Sequence, residues 1–279
     1  MLRTTAKIAL TLTATSFVFA GSAFANPCTD GKTLTAGKLT IATGNPAYFP
    51  WVIDDAPETG KGFEAAVAYA LAERLGFEQA DVNWVRTSFD GAIQPGTKNF
   101  DFNLQQFSIL PERAEVVSFS LPYYTTTKAV VVTTNNGADK TAATLSGVKS
   151  LKFGAGAGLS GATFLESAVK PTASTLLYDD VANTVAALQA NQVDAVIFDL
   201  PTALFVTAVQ MENGKILGQF PTDINDSPDN FGLLFAKDNP LVECVDDALV
   251  ELQAEGTLAA IEAKWLAEGT GVPIIDMGK

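Results

Sequence analysis

The 279-residue sequence predicts an α/β fold divided into two lobes, and three observations carry that expectation. Short β-branched runs alternate with amphipathic stretches from Gly37 onward, the alternation restarts beyond Gly137, and the chain exceeds the size at which a single hydrophobic core stays undivided. With 47% hydrophobic and 18% charged residues, the composition is that of an ordinary globular protein, not of a disordered or disulfide-dense one.

Residues 38–43 form the first β-branched strand. Over residues 62–75, Phe63, Ala66, Val67, Ala70, Leu71 and Leu75 share one helical face, and Gly76 stands where a left-handed cap ends the helix. Residues 82–85 make a second strand, 89–93 open a helix and 100–107 return to a strand, giving β-α-β-α-β and a parallel sheet covered by helices. A dense strand follows at 128–134. The second unit then runs strand 151–155, helix 161–169, strand 175–178, helix 182–190 and strand 195–198. A last block has a strand at 231–236, Asn239-Pro240 as cap and first turn, a helix at 241–253, the stop Gly256 and a helix at 257–265. The chain should pass between lobes near 124–128 and near 220–225.

Ahead of the first strand, Arg3 and Lys7, the apolar run 8–20 and Ala23-Phe24-Ala25 read as an export leader cleaved after Ala25. The run falls short of a bilayer span. Pro27 before Cys28 argues against a lipid-accepting cysteine, for which a small preceding residue is usual. Cys28 and Cys244 are then an even pair in an oxidising compartment, which favours a disulfide, with two inert thiols as the alternative.

Charge narrows the function further. With 18 basic residues against 31 acidic ones and no His, the formal net charge is −13. Such a chain repels phosphate backbones, so nucleic acid is not expected as a partner. The missing imidazole excludes Ser-His-Asp and Cys-His catalysis and most zinc and non-haem iron sites in their usual forms, and no metal is expected.

Three constellations remain. Gly156-Ala157-Gly158-Leu159-Ser160-Gly161 sits between a strand and a helix, with Asp179 after the next strand, which is the dinucleotide fingerprint in spacing and context. The same helix start, with Ser160 as an added hydroxyl donor, suits other anions such as a carboxylate, and a tight turn without ligand is a third reading. Soluble nicotinamide cofactors are scarce outside the cell, and no cofactor is expected. Asn103-Leu104-Gln105-Gln106-Phe107-Ser108 runs off a strand end toward Arg113, whose planar fork matches a carboxylate. Asp199 follows the strand at 195–198, where it can cap the next helix or accept from an ammonium. Tyr48, Trp51 and Phe89 follow early strands and can wall a pocket. Asp223, Asp226 and Asp229 lack the order of a calcium loop and read as a solvated connection.

Taken with Pro46-Ala47-Tyr48-Phe49-Pro50-Trp51, Gly62-Phe63-Glu64, Ser108-Ile109-Leu110-Pro111-Glu112-Arg113, Phe119-Ser120-Leu121-Pro122-Tyr123 and Val193-Asp194-Ala195-Val196-Ile197-Phe198-Asp199, the chain resembles the family 3 solute-binding proteins, the periplasmic amino-acid-binding subunits of ATP-binding cassette importers. The resemblance spans about residues 37–265. It implies two α/β lobes with open mixed sheets joined by two hinge strands: residues 26–127 and 224–279 in the first lobe, 128–223 in the second, and 1–25 as the signal peptide. It implies binding without catalysis, a free amino acid as ligand, a membrane permease as partner, and a monomer. Arg113 would hold the ligand carboxylate with Ser108 and Ser160, and Asp199 would hold the ammonium. Tyr48 and Phe89 would sandwich the side chain, with Trp51, Gln105 and Gln106 also on the ligand side.

The sequence departs from the family pattern at four places. Asn45 stands where relatives for cationic amino acids often carry Asp, Leu110 replaces a usual Thr, Gln105 replaces a small residue, and Gly161 follows Ser160. Together with Gln105 and Gln106, Asn45 points to a polar uncharged side chain. Some proteins of this fold are periplasmic dehydratases of cyclic acids, so an enzyme on the same scaffold is the competing expectation.

Overall fold

A computed structural model describes residues 27–221, 228–266 and 271–278. The leader with its cleavage after Ala25, and Asp223 and Asp226, lie outside the described residues.

Two five-stranded mixed sheets form the two lobes. In the first, β1 (Leu39–Gly44) lies between β2 (Val82–Thr87) and β3 (Phe102–Asn103), all parallel, and β10 (Asp229–Ala236) runs antiparallel to β3 and to β4 (Val117–Thr126). In the second, β6 (Phe153–Gly156) lies between β7 (Leu176–Tyr178) and β8 (Ala195–Asp199), all parallel, and β5 (Lys128–Thr133) runs antiparallel to β8 and to β9 (Gly214–Gln219). The two sheets thus repeat one layout. Thr127 alone separates β4 of one sheet from β5 of the other.

Helices cover both faces of each sheet. In the first lobe α1 (Phe63–Arg74), α8 (Leu241–Ala254) and α9 (Thr257–Trp265) enclose a core with Ile41, Phe63, Leu71, Phe102, Phe235 and Leu249. Gly62 opens α1 at φ 104°, and a Cβ there would stand 2.5 Å from the Trp51 carbonyl oxygen, so only glycine fits. The opposite face packs Ala92, from α2 (Phe89–Ile93), on Phe100, Phe107 and Leu234. In the second lobe one face is covered by α4 (Leu145–Lys149) and α5 (Ser160–Phe164), the latter continuing as a π turn over Leu165–Val169, and the other by α6 (Val181–Gln189) and α7 (Leu200–Phe205).

Several elements differ from the sequence expectation for local reasons. The strand expected over 100–107 is reduced to β3, because Gln106 takes a φ of 51° and turns the chain out of the sheet. Strands β4 and β9 were not anticipated. Pro122 falls within β4, which has few β-branched residues, and is tolerated because β4 is an edge strand, while β9 (Gly-Lys-Ile-Leu-Gly-Gln) carries two glycines and lies at the other sheet's edge. The tail also departs from its expected lobe. Ile274 bridges Gln219 of β9, the Ile275 N–H donates to the Gln219 carbonyl at 2.8 Å, and Ile275 is buried beside Leu217 and Phe220 in the second lobe's core. Residues 273–277 therefore belong to the second lobe, because the edge of β9 offers unpaired backbone groups and an apolar seat.

Cys28 and Cys244 form a disulfide that ties the N-terminal turn to α8 of the same lobe. Among the described residues no helix is long and apolar enough to cross a membrane.

Candidate functional site

The parallel strands of both sheets end at one cavity of about 360 Å³. Its walls are the loops that follow those strands: Gly44 to Tyr48 after β1, Ser88 to Asp90 after β2, Gln105 to Ser108 after β3, Ala157 to Gly161 after β6, Asp179 to Val181 after β7, and Asp199 at the end of β8. Open α/β sheets bind ligands at the carboxyl ends of their strands, where outgoing chains diverge, and here the two sheets face that end toward each other.

Arg113 comes from α3 (Pro111–Ala114), one turn of helix started by the proline. Its guanidinium is buried, donates to the Ser108 carbonyl at 3.1 Å and to the Gly158 carbonyl at 2.7 Å, and lies 5.1 Å from the centre of the Phe89 ring. Burial pulls its pKa below the ordinary arginine value, opposed by nearby Glu112, Asp229, Asp199 and Asp90. The bond to Gly158 joins the lobes. Gly158 presents its carbonyl at a φ of 71°, in the left-handed region.

Asp199 stands at the N-cap of α7, yet its side chain makes no capping bond. It accepts from Lys128 Nζ at 2.5 Å instead. Lys128 heads β5, donates to Ser160 Oγ at 2.6 Å and forms an ion pair with Asp229 at the head of β10. Burial lowers the Lys128 pKa, and the two carboxylates more than reverse this, so the ammonium stays charged. Burial also pushes the Asp199 carboxyl up, with Lys128 opposing and Asp229 adding to the rise.

Phe89 packs on Phe107 with ring centres 4.8 Å apart, and Tyr48, partly exposed, also lines the cavity. Partial burial, then Asp180 and Asp55, raise the Tyr48 pKa. Gln105 accepts from Thr87 Oγ1 at 3.3 Å. The Gln106 N–H donates to Glu64 Oε1 at 2.8 Å, and its side-chain amide pairs with the same carboxylate, which also accepts from Tyr123. Glu64 is thereby the prop of the loop that carries Gln105, Gln106 and Ser108.

Eight of the nine anticipated residues therefore line one cavity: Tyr48, Phe89, Gln105, Gln106, Ser108, Arg113, Ser160 and Asp199. Trp51 does not. It is buried in the first lobe's core against Phe63, Tyr124 and Phe231, because the turn that exposes Tyr48 and Phe49 directs it inward. Asp229 is also corrected: it is no solvated connection but a half-buried partner of Lys128. Sequence reading passed over Lys128. Its signal is a charge at the head of an otherwise apolar β-branched strand, Lys128–Thr133, in which every residue is buried.

A two-lobed α/β chain with charged groups of both lobes facing one cavity has the build of a binding protein. The chain belongs to the bacterial extracellular solute-binding proteins, family 3, whose profile matches residues 39–268. It is 28% identical over 249 residues to the L-cystine-binding protein TcyJ of Escherichia coli strain K12, a match covering 88% of this chain and 87% of that protein. It is 27% identical over 214 residues to ABC transporter arginine-binding protein 1 of the same strain, covering 74% and 82%. An ancestral arginine-binding protein solved with arginine has a TM-score of 0.65 at 28% identity and covers 82% of this chain and 98% of that one. An ancestral arginine-binding protein solved with glutamine also gives 0.65, at 26% identity, covering 84% and 100%. The relatives are binding proteins, and this chain belongs to their family.

Proposed function

We propose that this protein is the exported, periplasmic binding subunit of an amino-acid importer of the ATP-binding cassette type, cleaved after Ala25, that delivers a polar amino acid to a membrane permease. The observation that carries the reading is the placement of Arg113 on the first lobe and Asp199 on the second, both lining one cavity. An α-amino acid carries one charge for each. Its carboxylate pairs with Arg113, helped by the hydroxyls of Ser108 and Ser160, and its ammonium pairs with Asp199. Phe89 and Tyr48 flank the side chain. Asn45 and Gln105 offer neutral amides, and Asp90, Asp179 and Asp180 line the cavity as exposed acceptors, so the side chain it suits is rich in hydrogen-bond donors, glutamine first among uncharged candidates. A ligand held from both sides favours the closed arrangement because only there are both partners in reach.

The test is thermal unfolding of the mature chain, stripped of carried-over ligand by unfolding and refolding, against the free amino acids, cyclic carboxylic acids and nicotinamide cofactors. A ligand present at about one hundred times its Kd adds about 2.7 kcal/mol, which moves the midpoint by several degrees. A shift with one or a few polar amino acids is the expected result. A shift with a cyclic acid or a cofactor and with none of the amino acids would overturn the reading.

A further inference from the structure

The clamp just described uses Arg113 and Asp199 and assigns nothing to Lys128, although Lys128 pairs with Asp199 and lines the same cavity. Its side chain is only 3% exposed. The partners of Nζ come from both lobes: Ser160 Oγ and Asp199 Oδ1 from the second, Asp229 Oδ2 from the first. An ammonium has three protons and no lone pair, so it can only donate: it does so to Ser160 and Asp199, and it meets Asp229 as an ion pair.

Three consequences follow from that geometry. Ser160 Oγ has to accept from Lys128, so its own hydrogen points elsewhere and is free for a carboxylate in the cavity. Asp199 has one oxygen committed to Lys128, which leaves Oδ2 for a ligand ammonium. Finally, Arg113 and Lys128 balance Asp199 and Asp229, so the buried centre is neutral overall and suits a zwitterionic ligand head. Asp90, Asp179 and Asp180 are exposed to solvent and contribute less to that balance. Without Lys128 the same centre would carry an excess negative charge and would favour ligands that are cationic at the α-carbon.

We propose that Lys128 is a specificity-determining positioning residue, a fixed internal cation tied to both lobes that makes this site select ligands with a free α-carboxylate over their α-amides. The proposal rests on the amino-acid reading above and deepens it. Lys128 need not touch the ligand; it acts through the proton of Ser160 and the charge of Asp199.

The test compares each amino acid that binds with its own α-amide, by calorimetric titration, in wild type, Lys128→Gln and Asp229→Asn. In wild type the acid binds more tightly than the amide. Lys128→Gln is expected to shrink the amide-to-acid Kd ratio at least tenfold, and Asp229→Asn, which removes an opposing charge, to preserve or widen it. A merely structural lysine would weaken both ligands alike, and a ratio within threefold of wild type in Lys128→Gln overturns the proposal. Where Lys128→Gln does not fold, Lys128→Gln/Asp229→Asn removes one charge of each sign and is judged by the Ser160 effect: the ratio still shrinks, or the proposal fails. A ligand-free arm separates this inference from the amino-acid reading. NMR of 15N-lysine-labelled protein should show one exchange-protected ammonium resonance that is lost in Lys128→Gln and shifts in Ser160→Ala. Its absence overturns the role of Lys128 even where amino acids bind, whereas failure of every amino acid to bind while the resonance is present overturns the amino-acid reading alone.

Discussion

Glu64 shows how one buried carboxylate can hold a binding loop from behind. It lies in the first turn of α1, is 1% exposed, and accepts from the Gln106 backbone, the Gln106 amide and the Tyr123 hydroxyl. Burial raises its pKa to about 7, although the three donors pull the other way. A carboxyl whose folded pKa lies above its unfolded one binds more protons in the folded state. Its stabilising contribution is therefore complete below about pH 4.5 and is lost as pH rises through about 7, a difference on the order of 3 kcal/mol. We expect denaturant unfolding of wild type at pH 5 and pH 8 to differ by more than the same pair of measurements on Glu64→Gln. Equal pH dependence in the two proteins would show that Glu64 ionises normally. Arg113→Ala belongs to the same scale: loss of a charge-assisted pair should weaken amino-acid binding by about tenfold to a hundredfold, and an affinity within a few-fold of wild type would remove Arg113 from the clamp.

At the level of elements, the disulfide and the tail do different work. Cys28–Cys244 closes a loop with a sequence separation of 216 residues, yet both its ends lie in the first lobe, so it constrains that lobe without crossing the hinge. Replacing both cysteines by serine should cost about 2–4 kcal/mol in unfolding while leaving ligand affinity within a few-fold, measured by denaturant titration and calorimetry. A large loss of affinity at unchanged stability would mean that the bridge acts on the cavity instead. The tail, by contrast, follows α9 of the first lobe and pairs with β9 of the second. Leu145, at the start of α4, also donates its N–H to the Asp276 carbonyl at 2.8 Å. The strand pattern of 231–236 and the helices after it were legible from periodicity and caps. The tail was not, because a short irregular segment takes its place from the edge it finds rather than from its own pattern.

Over the whole molecule, the two sheets are joined by β4 to β5, by β9 to β10 and by the chain leading to the tail. Across the cavity they meet through Arg113 and Gly158, through Lys128 and Asp229, and through Phe49 and Phe205, whose ring centres lie 5.3 Å apart. Contacts of this kind can re-form after a hinge motion, and a ligand that pairs with both lobes shifts the balance toward them. Small-angle X-ray scattering should show the radius of gyration of the stripped protein falling when its amino acid is added, and falling less at the same concentration in Arg113→Ala. An unchanged radius in wild type under saturating ligand would mean that binding proceeds without closure.

What the sequence determined by itself is what local pattern carries: alternation of strand and helix, the restart that marks a second lobe, the Arg113 fork behind a strand end, the carboxylate of Asp199 and an even number of cysteines that favours a bridge, whose formation the structure decided. Each depends on spacing over a few residues or on residue chemistry. Tertiary structure alone decided which of the early aromatics faces the cavity, since Tyr48 and Trp51 are three positions apart on one turn and only packing sends one outward and the other into the core. It also decided that Lys128 and Asp229, distant in the chain, share a charge between the lobes, and that the last residues close the second sheet. The reason is physical: periodicity reports which face of an element is apolar, whereas the partner a buried charge finds is set by how separate segments come together.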